Sequence, residues 1–302
     1  MKKIIISLCI GVFVVLIPSI SFNLTKDLTK EEDEEWNKIY GESFAEAYDI
    51  EQTSDGHFII AGHTKNWTAW LLKIDKQGNE IWNKTYGEGI FYSIVETESG
   101  YTIGGYTESR GAGKGDFWLV KVDKQGNEIW NKTYGEGNME SVRKVISTKD
   151  RYLMVGIKRY PPREDGYSDS NIWLVKVDKQ GNEIWNKTYG GNWTEDGQDI
   201  IEIEDGYLVS GRTYSYEKYG GWDTWLIKID KQGNEIWNKT YGWWDFETEA
   251  YIIEIEDGYM ITGSTLSTYV GFCVGYLIKV NKAGEEIWSK KYGYKAEKFR
   301  DI

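Results

Sequence analysis

The residues of this sequence most able to do chemistry are aromatic and acidic side chains gathered in short segments that differ from one another. Indole and phenol rings can stack on the apolar faces of sugars, and carboxylates can accept hydrogen bonds from sugar hydroxyls. Trp and Tyr are also frequent anchors of protein contacts. We therefore predict a binding surface for a glycan or a protein ligand. Its candidate residues are Trp67, Trp193, Trp222, Trp243, Trp244, Tyr216, Tyr219, Asp223 and Asp245.

No catalytic motif accompanies these residues. His57 and His63 are the only histidines and lie close together, which disfavours a Ser–His–Asp triad. EF-hand calcium loops and phosphate-binding glycine loops are absent. We expect no enzyme activity, no cofactor and no metal. A glycoside hydrolase, or another extracellular enzyme that uses loop carboxylates, is the alternative, because two carboxylates about 5–9 Å apart could converge from the loops.

Composition narrows the class of partner. The 302 residues carry 36 Lys and Arg against 48 Asp and Glu, a net charge of −12, which argues against binding the phosphates of a nucleic acid. Two Cys and two His are too few for a Cys/His zinc cluster or a disulfide scaffold.

A repeat of about fifty residues organises the chain after residue 35. Its most regular block is WNKTYG, which occurs with variations at 36–41, 82–87, 130–135, 185–190, 237–242 and 288–293. A second block, WLVKVDKQGNEI or a close variant, precedes five of these copies. A third block, of the type DGYLVSGRT, also occurs five times.

Each repeat predicts four short strands. In the first repeat these are 45–53, 57–64, Trp70 to Asp75, and Glu80 to Tyr86. The Asp75 carboxylate can accept backbone hydrogen bonds in a tight turn, with Gly78 at the positive-φ position. Helical periodicity is absent. A four-stranded unit of this length, repeated without helices, is typical of a β-propeller.

We expect the recurring tryptophans to fill the seams between blades, since a buried aromatic ring removes about 150–250 Å² from water. Four of them open a third strand, at Trp70, Trp118, Trp173 and Trp225. Six occupy the fourth-strand position, where we assign them a structural docking role: Trp36, Trp82, Trp130, Trp185, Trp237 and Trp288.

The motif Asp75-x-x-Gly78-x-x-x-Trp82, with Gly62-x-Thr64 before it and Tyr86-Gly87 after it, resembles the SBBP-type β-propeller repeats of bacterial and archaeal surface proteins. Its central part is also similar to the tryptophan-docking repeat of quinoprotein dehydrogenases. The resemblance covers 36–293 and implies the fold much more strongly than an activity. The chain lacks the adjacent Cys-Cys pair of some quinoproteins and has about five units where those enzymes usually have eight blades.

The sequence allows more than one way for the propeller ring to close. Five full units follow a spare fourth strand at 36–41, and the segment AEKFRDI at 296–302 resembles AEAYDI at 45–50. Five blades could close with a swapped strand, a sixth blade could be partly supplied, or the reading frame could be truncated.

The connections of an up-and-down blade alternate between the two sides of a propeller. The first-to-second and third-to-fourth turns are short and nearly invariant on one side. The second-to-third loops and the blade-to-blade loops vary and share the other side. All the candidate ligand-binding residues fall in these variable segments, where function usually lies on a repeated scaffold.

The N-terminus has the layout of a secretory signal peptide at 1–21, with an uncleaved membrane anchor as the alternative. An acidic linker at 22–35 then leads to the propeller at 36–302. Among the Asn-x-Thr triplets, Asn23, Asn66 and Asn192 are glycosylation candidates because they lie in the tail or in loops.

The expectation is therefore a secreted or surface-displayed propeller that acts as a non-catalytic binding module. A purely structural surface repeat is the remaining hypothesis.

Overall fold

The computed structural model describes residues 38–41, 45–112, 115–164, 166, 168–216, 221–243, 246–266 and 273–292. These ranges hold twenty-one strands and no α-helix. No helix in them has the length and apolarity needed to cross a membrane. The expected signal peptide and acidic linker, at 1–35, lie outside the described residues.

The strands form five antiparallel sheets that we call blades 1 to 5. Blade 1 contains β1 (Glu46–Gln52), β2 (Phe58–His63), β3 (Thr68–Ile74) and β4 (Glu80–Glu88). Blade 2 contains β5 (Ile90–Thr97), β6 (Gly100–Thr107), β7 (Asp116–Val122) and β8 (Glu128–Tyr134). Blade 3 contains β9 (Glu140–Ser147), β10 (Arg151–Arg159), β11 (Ser170–Asp178) and β12 (Glu183–Tyr189).

Blade 4 contains β13 (Glu195–Ile203), β14 (Gly206–Thr213), β15 (Asp223–Asp230) and β16 (Glu235–Tyr241). Blade 5 contains β17 (Phe246–Glu247), β18 (Tyr251–Ile255), β19 (Gly258–Leu266), β20 (Cys273–Asn281) and β21 (Glu286–Tyr292). Both β17 and β18 pair with β19, so together they make up the first strand of this blade.

Within each blade the strands pair in chain order, and the first strands of successive blades lie side by side: β1 with β5, β5 with β9, β9 with β13, and β13 with β18. The first strands are therefore the inner strands, and the fourth strands form the outer edges. This is the predicted all-β propeller of four-stranded blades, with five full units.

Side chains on the inner strands link one blade to the next. Asp49 Oδ2 accepts a hydrogen bond from the backbone amide of Ile94 at 2.9 Å, and Asp199 Oδ2 accepts one from Ile252 at 3.0 Å. A bulge beside each aspartate, at Tyr48 and Gln198, re-aims the strand there. The inner strands are thus held in register by hydrogen bonds as well as by packing.

The third-to-fourth turns have the predicted conformation. In blade 1 the Asp75 Oδ1 atom accepts the backbone amides of Gln77 and Asn79, each at 2.8 Å, and Gly78 has φ of 73°. These hydrogen bonds keep the pKa of the Asp75 carboxyl below its usual value. The tight turn places its Gly78 carbonyl at the corner of the blade.

The third-strand tryptophans lie in the core, since Trp70, Trp118, Trp173 and Trp225 are at most 5% exposed. The indole nitrogen of Trp70 donates to Asn83 Oδ1 at 2.6 Å, and the same bond recurs from Trp173 to Asn186 and from Trp225 to Asn238. In blades 1, 3 and 4 the Asn of the repeated WNKT block therefore satisfies a buried indole N–H of its own blade.

The fourth-strand tryptophans lie at the outer end of each seam and are half-buried. The Trp82 ring rests on the turn of blade 2, where a methyl group added to Gly126 would lie 3.0 Å from it. Trp130, Trp185 and Trp237 rest in the same way on Gly181, Gly233 and Gly284. Each indole packs against the hydrophobic core at its seam.

The two ends of the array differ. Tyr40 donates to the carbonyl of Gly78 at 2.6 Å and Lys38 to Asn79 Oδ1 at 2.7 Å, so the segment before blade 1 docks on it as a preceding outer strand would. On the other side of blade 5, Tyr251 and Ile253 are 39% and 40% exposed. Trp288 is half-buried on the outer strand there. The predicted docking residue Trp36, and 296–302, lie outside the described residues.

Candidate functional site: the loop face

The variable loops meet on one side of the propeller, which we call the loop face. The backbone amide of Gly89, between blades 1 and 2, donates to the carbonyl of Trp67 at 2.8 Å. Tyr214 donates likewise to Thr194, and Glu247 to Trp222, each at 3.0 Å. Each bond joins a second-to-third loop to a blade-to-blade connection, so the two kinds of variable segment share one side as the repeat predicts.

Trp67 is the most exposed of the described tryptophans on this face, at 61%. Its backbone has φ of 55°, a left-handed conformation that non-glycine residues seldom adopt. The ring stacks on His63, with centroids 4.6 Å apart and planes 16° apart. Because His63 is only 3% exposed, this stack holds the indole over a fixed support.

Beside Trp67 lies a cleft of about 480 Å³. Its lining combines an aromatic ring, an amide and two carboxylates, at Tyr106, Asn66, Glu88 and Glu108. The Tyr106 hydroxyl donates to Glu108. The cleft thus offers a flat ring surface with hydrogen-bond acceptors at its rim.

A second group of rings crosses the loop face between blades 3 and 4. The Trp193 ring, 48% exposed, meets the edge of Tyr214 at 6.3 Å, and Tyr214 meets Trp222 at 5.9 Å. Guanidinium groups cover both ends of this row: Arg163 lies 4.6 Å from the Trp193 ring and Arg212 lies 4.2 Å from the Trp222 ring. These cation–π contacts support the row of rings at each end.

Two other predicted site residues pack against buried aromatic rings. Tyr216 packs on Trp225 at 5.1 Å and donates to the carbonyl of Gly190. Trp243 is half-buried against Tyr276, and Lys291 lies 4.6 Å above its ring. Trp244, Tyr219 and Asp245 fall outside the described residues.

Asp223 does not reach the loop face, contrary to expectation. It is 0% exposed, at the start of β15, because it faces Glu247 of the next blade across the seam. Its position two residues before Trp225 therefore orients it inward. It leaves the set of surface ligand-binding candidates.

Sequence reasoning missed the axial channel between the inner strands. A cavity of about 360 Å³ there is lined by Asp49, Glu51 and Lys144 among apolar side chains. Lys144 Nζ lies 3.7 Å from Asp49 Oδ2, and the aspartates Asp49 and Asp199 raise the pKa of this lysine. Burial raises the pKa of Glu51 to about 7. The available signal was the recurrence of charged residues at one position of the first strand, which the repeat alignment could have shown.

Two of the three glycosylation candidates lie in the described ranges, and both Asn66 and Asn192 are exposed on the loop face. Asn23 lies outside these ranges. Among the residues that the structure describes, no three His, Cys, Asp or Glu side chains converge as metal ligands.

Fold and site together define a β-propeller with a variable, aromatic loop face. No protein-family model matches the chain, and no curated protein does. Among solved structures, the chain is similar to a mutant of the Synechocystis apocarotenoid oxygenase, with a TM-score of 0.51 and 13% identity over 81% of this chain and 61% of that one.

It is also similar to an ACO/RPE65 chimera, with a TM-score of 0.52, 14% identity, and coverage of 83% of this chain and 63% of that one. The Dos1 propeller gives a TM-score of 0.52 and 11% identity, over 84% and 60%. The chain spans about three fifths of each of these structures. At such identities the similarity establishes the fold alone.

Proposed function

We propose that this propeller is a non-catalytic module, displayed at a cell surface or secreted, that binds a glycan on its loop face. The SBBP-type character of the repeat supports display at a surface. The single observation that carries the proposal is Trp67: an exposed indole, held in a strained backbone conformation and stacked on a buried histidine, beside a cleft with two carboxylates.

The cost of this arrangement argues for a role in binding. A non-glycine residue with positive φ costs about 1–2 kcal/mol, and an indole 61% in water gains little from burial. A flat ring with acceptors at its rim matches a sugar ring, which has an apolar face and hydroxyl donors around it. The row of rings through Trp193 offers a second contact area for a longer chain of sugars.

A glycan array with the purified propeller tests the proposal. We expect binding to at least one oligosaccharide, weakened about 30-fold or more by Trp67→Ala, because an anchor residue contributes about 2 kcal/mol or more. Ile129→Ala is the matched control, since Ile129 is 52% exposed on outer strand β8, away from the loop face, and its removal should leave affinity unchanged.

Three outcomes would contradict the proposal. Capture of a protein by the loop face with no glycan bound would replace the ligand class. Equal affinity of wild type and Trp67→Ala would remove the site. Cleavage of an oligosaccharide, abolished by Glu88→Gln or Glu108→Gln, would favour the hydrolase instead.

A further inference from the structure

A pair of lysines lies on the side of the propeller opposite the loop face, which carries the short turns and which we call the turn face. The pair occupies the seam between blades 2 and 3. Lys121 Nζ, from β7, lies 6.0 Å from the centre of the Tyr152 ring of β10. Lys179 Nζ, from the third-to-fourth turn of blade 3, lies 4.1 Å from the same centre. Two ammonium groups therefore share one phenol ring, and Lys121 is only 4% exposed.

In blades 1, 4 and 5 the third-strand lysine pairs with an aspartate of the first-to-second turn. The ion pairs, with Nζ to Oδ2 distances of 2.7–2.8 Å, are Lys73–Asp55, Lys228–Asp205 and Lys279–Asp257. In blade 2 the residue at the place of this aspartate is Ser99. Lys121 donates instead to the hydroxyl of Thr97, which carries no charge.

The lysine of the third-to-fourth turn also has a carboxylate partner at the other seams. That partner is a first-strand glutamate, which lies opposite the second-strand tyrosine in the sheet. The ion pairs are Lys124–Glu96, Lys231–Glu202 and Lys282–Glu254. In blade 3 the residue opposite Tyr152 is Ser147. Lys179 donates to Ser147 Oγ at 2.7 Å and to the carbonyl of Thr148 at 2.8 Å, and both acceptors are uncharged.

Both carboxylates that neutralise these two lysine positions elsewhere are thus serines at a single seam. Hydroxyl and carbonyl oxygens satisfy the N–H donors of an ammonium group, but they do not cancel its charge. Within the described ranges of the chain, neither Lys121 nor Lys179 forms an ion pair with a carboxylate. Because a charge withdrawn from water is costly without an opposite charge, this seam favours an anion from outside the chain.

The more distant charges do not neutralise the cluster. Glu98 and Asp150 attract Lys179, and Arg151 repels it. Both carboxylates are exposed to water, and Asp150 pairs with Arg151 at 2.8 Å. Together with Lys121, three cationic groups stand against two acidic ones. A chain of net charge −12 therefore keeps a local surplus of positive charge at this seam.

We propose that the Lys121–Lys179 cluster binds a tetrahedral oxyanion, a phosphate or sulfate group that is either free or carried by a larger ligand. The anion replaces the two carboxylates that the other seams supply. Ammonium groups bind phosphate oxygens as point charges, and the hydroxyls of Ser99 and Ser147 can donate hydrogen bonds to the remaining oxygens. Ser99 is exposed and Lys179 is half-buried, so the cluster is accessible from the turn face.

Equilibrium dialysis of the full chain against radiolabelled inorganic phosphate measures binding directly. We expect one phosphate per chain, displaced by sulfate. The Tm should be about 3 °C higher in about 20 mM phosphate than in chloride at the same ionic strength, because an anion that binds only the folded state stabilises it.

Ser99→Asp and Ser147→Glu test the site by restoring the carboxylates of the other seams. Each should weaken phosphate binding about 10-fold or more, the equivalent of losing one good charged contact, and each should raise the Tm measured in chloride. Gln77→Glu is the matched control, since it adds the same charge to an exposed turn-face position of blade 1 and should leave phosphate affinity unchanged. Far-UV circular dichroism checks that every variant is folded.

Glucose 6-phosphate distinguishes the two sources of the anion. Binding at least as tight as that of inorganic phosphate would support the site and identify a group carried by a larger ligand. Its exclusion, with inorganic phosphate bound, would support a site for the free anion. Absence of bound phosphate, or an equal Tm in phosphate and in chloride, would overturn the proposal. It would also be overturned if Ser99→Asp and Ser147→Glu bound phosphate as tightly as Gln77→Glu.

Discussion

The hydroxyl of Tyr86 in blade 1 donates to the carbonyl of Gly126 in blade 2 at 2.8 Å. Equivalent bonds join Tyr134 to Gly181, Tyr189 to Gly233 and Tyr241 to Gly284. Each repeated Tyr therefore reaches the turn glycine of the next blade, on which the neighbouring Trp ring also rests. The WNKTYG block and the DKQGN turn are the two halves of one inter-blade joint.

Tyr134→Phe tests this joint. The substitution removes a buried donor and leaves the Gly181 carbonyl without it, which should lower the free energy of unfolding by about 1–2 kcal/mol. Urea denaturation followed by tryptophan fluorescence measures the change. Tyr292→Phe removes the hydroxyl of a tyrosine that is 51% exposed and should change stability by less than about 0.5 kcal/mol. If both variants lose the same free energy of unfolding, the hydrogen bond from Tyr134 to Gly181 does not contribute to stability.

Gly126→Ala tests the contact between the turn and the indole. Gly126 has φ of 75°, and an added methyl group would meet the Trp82 ring at 3.0 Å. We expect a loss of about 2–3 kcal/mol in thermal or urea unfolding, from backbone strain together with displacement of the ring. Gly166→Ala is matched in φ, at 84°, but no atom of the described residues lies within 4 Å of the new methyl, so its loss should stay near 1 kcal/mol. A Gly126→Ala variant no worse than this control would show that the ring adapts freely.

Asn83→Ala tests the hydrogen bond that Trp70 Nε1 makes to Asn83 Oδ1 at 2.6 Å. Loss of the acceptor leaves a buried indole N–H unsatisfied and should cost about 1–2 kcal/mol of unfolding free energy. Blade 2 supplies the control, because Trp118 Nε1 has no hydrogen-bond partner among the described residues. Asn131→Ala should therefore cost less than Asn83→Ala. The reverse order would contradict the assignment.

Glu51→Gln tests the electrostatics of the axial channel. Burial raises the pKa of Glu51 to about 7, with a hydrogen bond from the Glu96 amide and the charge of Lys144 opposing, and Asp49 and Glu96 adding to the rise. Because the folded state then binds the proton more tightly than the unfolded chain, the contribution of Glu51 to stability is most favourable below pH about 4.3 and becomes less favourable as pH rises toward 7.

The Gln variant should lack this slope and be more stable than wild type at pH 7.5, by on the order of 1 kcal/mol after allowance for solvent screening. Urea unfolding between pH 4.5 and 8 measures the difference. Glu80→Gln alters an exposed carboxylate on outer strand β4 and should leave the pH profile unchanged. If the free energy of unfolding of wild type and Glu51→Gln changes in parallel with pH, the raised pKa of Glu51 is ruled out.

Much of the fold follows from local patterns in the sequence. The alternation in Trp70 to Asp75, the Asp75–Gly78 turn and the recurrence of the WNKTYG block each depend on residues close together in the chain, and the structure has strands and turns where they predict them. The variable loops also share one side, because antiparallel strands of a single repeat leave no other arrangement.

What the local patterns could not show is how side chains of different blades meet. Asp223 looks like a loop residue in the sequence, yet it is buried against Glu247, 24 positions away. The support of Trp67 by His63 and the axial group of Asp49, Lys144 and Asp199 likewise arise only when neighbouring strands and blades come together. The sequence alone determined the repeating strands, their turns and the docking residues, since these are set by periodicity and short-range hydrogen bonding. Only the tertiary structure decided which carboxylates lie in solvent and which are buried in pairs, because burial depends on the packing of one blade against the next.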